Sequence, residues 1–519
     1  MASSGHLYII QGDIKKIACD AWLLPTSQNY SITTSFQDAV GMTVSSKPRP
    51  LEWNGVEWTE PWGDRNFILL KASQDLHEPD LWIGNIGVSD LAPVEHFAER
   101  AREFVQIACE TVRTRETKSN RAPLIAVNVM GSGDGGGRNK RGELLRALIP
   151  SLIESARENK CDVVLVTYGS VMYSAANSVR NSLSTELDVW RDLPKELIAN
   201  GDELAKSARN SELVVFMGAG VSRDAGLPAW KELLHDVAID VGITEEEFDE
   251  IAKFDPRDQA TLLSKDREDE FRKAVSNRLS SERYSLLHGL LASLPVNEFV
   301  TTNFDNLFEL AAARSGEELP VIPGGVVSAG KRWLLKLHGT IGQDLVLTRG
   351  EYLGAVSTHA ALRGLVQAML LTRHMLFVGY SMTDEDFHQL VHEVRTSVKD
   401  HKNKNFGTVT LLQGRQHLSK LWPDLTFVST DVGINNPKDL NPSARNLAIM
   451  LDYVGAKSAS DIGFVADESF GKMKTEHELE LSQILKDLEK LVEKMDSEKG
   501  ESDKWRSVRD FLDNFREKS

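Results

Sequence analysis

Apolar positions in the first part of the chain come in short runs rather than long helical stripes. Leu7-Tyr8-Ile9-Ile10, Ala21-Trp22-Leu23-Leu24, Leu124-Ile125-Ala126-Val127-Asn128-Val129 and Val163-Val164-Leu165-Val166 each read as a buried strand. Between the last two, Leu144 to Ala156 carries helical periodicity. Strands alternating with helices predict a parallel or mixed sheet covered on both faces. The pattern then restarts. A helical stretch from Leu193-Pro194 to Arg209 leads into Leu213-Val214-Val215-Phe216-Met217, which ends in Gly218-Ala219-Gly220, with a helix-like segment from Pro228. Three more strands end in polar or glycine residues: Phe299 to Thr301 before Thr302-Asn303-Phe304-Asp305, Trp333 to Leu337 before His338-Gly339, and Leu376 to Val378 before Gly379-Tyr380-Ser381.

From residue 475 the period changes again. Thr475-x-x-Glu478 reads as a capping box, and Leu481, Ile484, Leu488, Leu491 and Met495, with Leu485 and Val492 beside them, mark an amphipathic helix with a heptad-like seam. A second short pattern holds Trp505, Val508, Phe511, Leu512 and Phe515. The 519 residues therefore divide into an α/β domain at 1–185, a second α/β domain at 190–455 with a Rossmann-like parallel sheet, and a helical tail at 456–519.

Composition adds exclusions. A net charge of −16 argues against nucleic acid as the main partner, because counterion release needs clustered cations; Arg138-Asn139-Lys140-Arg141 is one local basic loop. No uncharged run is long enough to span a membrane, and the first residues lack the pattern of a secretory signal. Three unpatterned cysteines, Cys19, Cys109 and Cys161, suit a reducing compartment. The expected location is cytoplasmic.

A strand, a glycine turn and a following helix bring backbone N–H groups against a phosphate. Alone, Gly218-Ala219-Gly220 is weak evidence, since tight turns without ligands produce it often. Four strands, each delivering a glycine or polar group at its carboxyl end, converge on one crevice in an open α/β sheet. Gly133-x-Gly135-Gly136-Gly137 lacks the lysine and hydroxyl of a Walker loop, which argues against an ATPase. His288, within Leu286 to Leu291, reads as a satisfied core histidine.

The first domain resembles a macrodomain, on Gly12-Asp13-Ile14, on Asp20-Ala21 leading into Leu23-Leu24-Pro25-Thr26, and on the glycine loop 131–137 before a helix. The resemblance implies that Asp13 contacts an adenine and that Gly131, Gly133, Gly135 and Gly136 wrap the phosphates of a nucleotide ligand. The second domain resembles the sirtuins (silent information regulator type two), most closely their prokaryotic defence-associated branch. Gly218-Ala219-Gly220-Val221-Ser222, Leu227-Pro228-Ala229-Trp230, Thr301-Thr302-Asn303-Phe304-Asp305, His338-Gly339, Leu347-Thr348-Arg349 with Tyr352, and Gly379-Tyr380-Ser381 carry it.

That resemblance implies NAD+ as the substrate, with Gly218, Ala219, Gly220 and Ser222 along the pyrophosphate, Thr302 beside the dinucleotide, and Gly379 and Ser381 near the adenosine. Asn303 would orient the ribose or the attacking water, Asp305 would hold the nicotinamide carboxamide, and His338 would act as general base. Deacylating sirtuins hold a structural zinc on four cysteines after the histidine; here no cysteine follows Cys161, so neither zinc nor another metal is expected. The expectation is therefore an NAD+ hydrolase yielding nicotinamide and ADP-ribose, the effector of an antiphage system. It is expected to be controlled by a ligand or by assembly, as a homo-oligomer or with a protein encoded alongside. A non-catalytic NAD or ADP-ribose binding module, and a zinc-free ADP-ribosyltransferase or deacylase, stay open.

Overall fold

The computed structural model describes residues 4–499 apart from 29–31, 41–51, 54–55, 58–61, 63, 72–77, 88–91, 116–120, 134–135, 314–317, 329, 344, 383–384, 398–404, 416, 435 and 437; beyond 499 it describes 508–509 and 512. Gly135, Trp505, Phe511 and Phe515 thus lie outside the described residues. The chain forms two compact units. One comprises residues 1–15, 19–192 and 459–519, the other 16–18 and 193–458.

The first unit is built on six strands: β1 (Leu7–Gln11), β2 (Ala21–Thr26), β3 (Phe67–Lys71), β4 (Asp80–Asn85), β5 (Leu124–Asn128) and β6 (Asp162–Thr167). Their order is β1-β6-β5-β2-β4-β3, parallel except for the edge strand β3. Helices Val94–Arg113 and Arg141–Glu158 bury apolar stripes, among them Phe97, Phe104 and Val105 on the first and Leu144, Leu148 and Leu152 on the second.

Residues from Ala459 onward cluster with this unit. Gly142 permits the contact, because a Cβ there would stand 3.0 Å from the Phe470 Cα. Helix Glu476–Lys499 opens with the capping box: Thr475 Oγ1 accepts the Glu478 N–H at 3.3 Å, and Glu478 accepts the Thr475 N–H at 2.7 Å. Its apolar stripe splits in two. Leu485 and Val492 turn inward onto Leu512, whereas Ile484 and Leu491, each one position earlier and so about 100° around the helix, are exposed.

The second unit holds seven parallel strands: β7 (Leu213–Met217), β8 (Glu298–Thr301), β9 (Val321–Ile322), β10 (Trp333–Lys336), β11 (His374–Val378), β12 (Gly407–Leu411) and β13 (Leu425–Ser429). The order β9-β10-β8-β7-β11-β12-β13 is doubly wound, with β9 added at one edge. Strand order reverses between β7 and β11, so the carboxyl ends of these two strands form the topological switch point. Val214, Phe216, Val300, Leu335, Met375 and Phe377 point to one sheet face and pack against helices Ala360–Thr372 and Glu385–Ser397. On the other side, Phe299 packs on Phe308 of helix Leu307–Ala312.

Between β7 and β8 the chain makes a layer of short helices, Trp230–Asp240 to Glu268–Arg278. Their own core, with Leu234, Val237, Leu263 and Phe271, also takes in Phe304, Leu345 and Leu347 from the loops after β8 and β10. This layer anchors the segment that carries Asn303 and Asp305.

Candidate active site

At the switch point two glycine loops press together. Gly218 N–H donates to the Val378 carbonyl and Gly220 N–H to the Gly379 carbonyl, both at 2.9 Å. A Cβ on Gly220 would meet the Gly379 Cα at 2.7 Å, and one on Gly379 would meet the Val221 nitrogen at 2.6 Å. Gly379 also has φ +64°, which side chains rarely adopt. After Gly218 the chain winds into a 3-10 helix, Ala219–Ala225, and the α-helix begins only at Trp230. This differs from the direct turn-to-helix arrangement that the sequence suggests. Two of the loop's N–H groups are spent on joining β7 to β11, while Ala219 and Gly220 face solvent and Ser222 points inward.

Thr301 starts the polar loop after β8. Its Oγ1 donates to the Met217 carbonyl at 3.1 Å and accepts the Asn303 N–H at 3.0 Å. Asn303 Nδ2 then reaches the Gly218 carbonyl at 3.2 Å and Ser222 Oγ at 3.3 Å. Ser222 donates to Asp305 Oδ2 at 2.9 Å, and Asp305 Oδ1 accepts the Leu307 N–H at 3.0 Å, which starts helix Leu307–Ala312. The structure thus brings Asn303, Asp305 and Ser222 into one polar cluster, buried at Asp305 and Ser222 and half-buried at Asn303.

Two partners of this cluster were not apparent from sequence. His288 is 1 % exposed, and its Nε2 lies 3.5 Å from Ser222 Oγ. Its Nδ1 accepts the Ser285 N–H at 3.2 Å, which leaves the proton on Nε2, directed at Ser222. Burial pulls the imidazole pKa down to about 4 against the opposing pull of the Asp305 charge, so the ring is neutral. The reading of a core histidine holds for its burial, but the ring also supports the cluster. The Ser285-x-x-His288 spacing, which caps helix Leu286–Ser293, was the available signal.

Lys336, fully buried in β10, donates to the Phe304 and Asp305 carbonyls at 3.3 and 2.5 Å and to Glu309 at 2.9 Å. It clamps the Asn303 loop from below. Burial raises the Glu309 pKa and the Lys336 charge opposes that rise.

His338, 9 % exposed, follows β10 and packs between Phe304 and Tyr352, with ring centroids at 6.3 and 5.1 Å. Tyr352 Oη lies 3.5 Å from His338 Nδ1. Helix Arg349–Thr358 delivers Tyr352 from a Thr348–Glu351 capping box, and Arg272 pairs with Glu351. His338, Thr302, Tyr352, Tyr380, His359 and Arg363 line a cavity of about 40 Å³. Asn303 and Asp305 are not among the residues that line it; they bond to Ser222 at the next strand end. Ser381 is exposed, and Met382 beyond it holds φ +59°, a strained value fixed by its buried side chain and by His388 donating to its carbonyl at 2.7 Å.

Residues 297–424 match the family of SIR2-like domains. The matched segment contains Asn303, Asp305, His338 and Gly379. Defense-associated sirtuin 2 of Bacillus subtilis is 26% identical over 228 residues, covering 42% of this chain and 23% of that protein. The NAD(+) hydrolase ThsA of Enterococcus faecium is 24% identical over 218 residues, 39% of this chain and 44% of that protein. ThsA of Cytobacillus dafuensis is 26% identical over 205 residues, 37% and 40% respectively. The chain spans less than half the length of each of these relatives.

In the first unit, Asp13 follows β1, and its Oδ1 accepts the Lys15 N–H at 2.9 Å. Gly131, Gly133 and Gly136 follow β5, and the loop closes on itself through the Gly137 N–H and the Gly131 carbonyl at 2.8 Å. Just beyond it, Arg141 pairs with Asp467 at 3.3 Å. Among the described residues no group of His, Cys, Asp and Glu is placed to hold a metal ion, and no helix is long and apolar enough to cross a membrane.

Proposed function

We propose that the second unit hydrolyses NAD+ to nicotinamide and ADP-ribose, and that the protein depletes NAD+ as an effector of antiphage defence. The observation that carries this reading is the delivery of Asn303, Asp305 and His338 to the carboxyl ends of adjacent strands, beside the glycine contact of the switch point. The relatives' names, a defence-associated sirtuin and NAD(+) hydrolases, agree with it.

The nicotinamide–ribose bond is already primed, because a cationic pyridinium leaves as a neutral base and needs no general acid. The residues must orient the ribose, favour an oxocarbenium-like centre and admit water, as in glycoside hydrolysis. Asn303, held by the Gly218 carbonyl and Ser222, presents its amide to the ribose or the attacking water. Asp305 exchanges its Ser222 bond for the carboxamide N–H of nicotinamide. His338, steadied by Tyr352 and Phe304, takes the proton from water or a ribose hydroxyl, a step worth ~10²–10⁴ in rate.

A cavity of about 40 Å³ has room for about three waters, whereas ligand pockets run to roughly 300–1,000 Å³. The dinucleotide must therefore extend beyond this cavity, and control of its cleavage by a ligand or by assembly is part of the proposal. The first unit, read as macrodomain-like with Asp13 and the 131–137 loop facing a nucleotide, is the proposed sensor. The exposed Ile484 and Leu491 are the proposed assembly surface, with a second copy or a protein encoded alongside.

The test is product analysis of NAD+ incubated with the protein, alone and with the products of neighbouring genes. Equimolar nicotinamide and ADP-ribose support the proposal. Bound but uncleaved NAD+ would assign a binding module, and a mass shift on a protein substrate would assign a transferase or deacylase.

A further inference from the structure

Pyrophosphate carries two negative charges, and the glycine loop meets them with fewer donors than its sequence promises. The Gly218 and Gly220 N–H groups are already held by the Val378 and Gly379 carbonyls, and Arg223, the cation of that loop, is paired with Glu232. The cation lining the His338 cavity is Arg363. It stands one turn beyond His359 on the same helix face, and its N–H donates to the His359 carbonyl at 3.0 Å.

Both side chains carry a buried atom that lacks a hydrogen bond. Among the described residues, the buried His359 Nδ1 and the buried Arg363 Nη2 have no hydrogen-bond partner. Arg363 comes no nearer to Glu393 than 3.6 Å, beyond hydrogen-bond length, and Glu393 is already engaged by Gln367 at 2.6 Å and Gln389 at 3.0 Å. Buried polar atoms left in this state are costly, and an arriving ligand oxygen relieves that cost.

We infer that Arg363, assisted by His359, binds the pyrophosphate of the dinucleotide in the cavity that it lines with His338, and so acts as a positioning and specificity residue. The inference rests on the NAD+ reading above. A guanidinium paired with a phosphate is a charge-assisted, two-pronged contact.

The test compares NAD+ with nicotinamide riboside, which keeps the scissile bond and lacks the pyrophosphate. Arg363→Met should raise KM for NAD+ by about tenfold to a hundredfold with kcat little changed, should leave kcat/KM for the riboside within about twofold, and should be partly rescued by Arg363→Lys. Glu393→Gln should behave as wild type. Equal losses on both substrates, or the same loss in Glu393→Gln, would assign Arg363 to an internal ion pair and overturn the inference. ADP-ribose binding by calorimetry, measured in an Asp13→Ala background that removes the first unit's proposed nucleotide contact, separates the two readings. If the wild type cleaves no NAD+ yet binds ADP-ribose, and Arg363→Met abolishes that binding, the hydrolase reading fails and this one stands. Retained ADP-ribose affinity in Arg363→Met overturns it.

Discussion

Each unit contains a glycine-rich turn at the carboxyl end of a parallel sheet, and the two turns differ in what surrounds them. At 218–220 the glycines are demanded by backbone on backbone: Gly220 lies against Gly379, and the neighbouring strands bring Asn303, Asp305 and His338. At 131–137 close packing also requires some glycines, since a Cβ on Gly137 would meet the Gly131 carbonyl oxygen at 2.9 Å and Gly131 holds φ +78°. A Cβ on Gly133, however, would meet nothing within 4 Å, no other strand end among the described residues adds a catalytic group, and the nearby arginine at 141 is paired with a carboxylate of the same unit. A glycine turn becomes evidence for a site when close packing requires the glycines and other strand ends supply the chemistry.

Substitution should separate the two turns sharply. Gly379→Val places a branched side chain at φ +64° against the Val221 backbone, and should cost upwards of ~4 kcal/mol, seen as loss of the second unit's cooperative melt. Lys336→Met leaves Glu309 and two carbonyls of the Asn303 loop without their donor. It should cost about 3 kcal/mol in denaturant titration and suppress nicotinamide release further than the loss of stability explains.

The second unit should also respond to acid through His288. Its folded pKa, about 4, lies below the ordinary value of 6.5, so the unfolded chain binds the extra proton in between. This contribution is fully present above pH 6.5 and is lost as pH falls toward 4, by at most roughly 3 kcal/mol. His288→Asn should flatten that part of the melting-temperature profile. In the first unit Gly133→Ala should shift stability by less than ~0.5 kcal/mol, and a loss comparable to that of Gly379→Val would erase the contrast. Arg223→Ala, which breaks an exposed pair with Glu232, should be similarly small, within ~1 kcal/mol, by thermal melting.

Buried parallel strands are legible because they must be apolar on both faces, and so β7, β8, β10 and β11 stand out as short continuous runs. The polar residues ending them follow from the same logic, since strand ends are where backbone and side chains can face a crevice. Lys336 was hidden because it sits inside such a run, and only the fold places Glu309 and the Phe304 carbonyl within its reach. The 3-10 geometry after Gly218 depends on hydrogen bonds to Val378 and Gly379, some 160 residues away, which no local pattern encodes. The helix from Glu476 was visible through its capping box, but periodicity alone did not tell which apolar positions turn inward, because Leu485 and Val492 alternate with the equally apolar Ile484 and Leu491.

The strand ends of the second unit are proposed to form one NAD+-cleaving centre. Its most direct test is a time course of nicotinamide release from NAD+ by wild type, Asn303→Ala and His338→Ala, each with and without the products of neighbouring genes. Wild type should release nicotinamide, and both variants should lose at least about a hundredfold, with folding preserved by circular dichroism. Undiminished release by either well-folded variant would contradict the proposal.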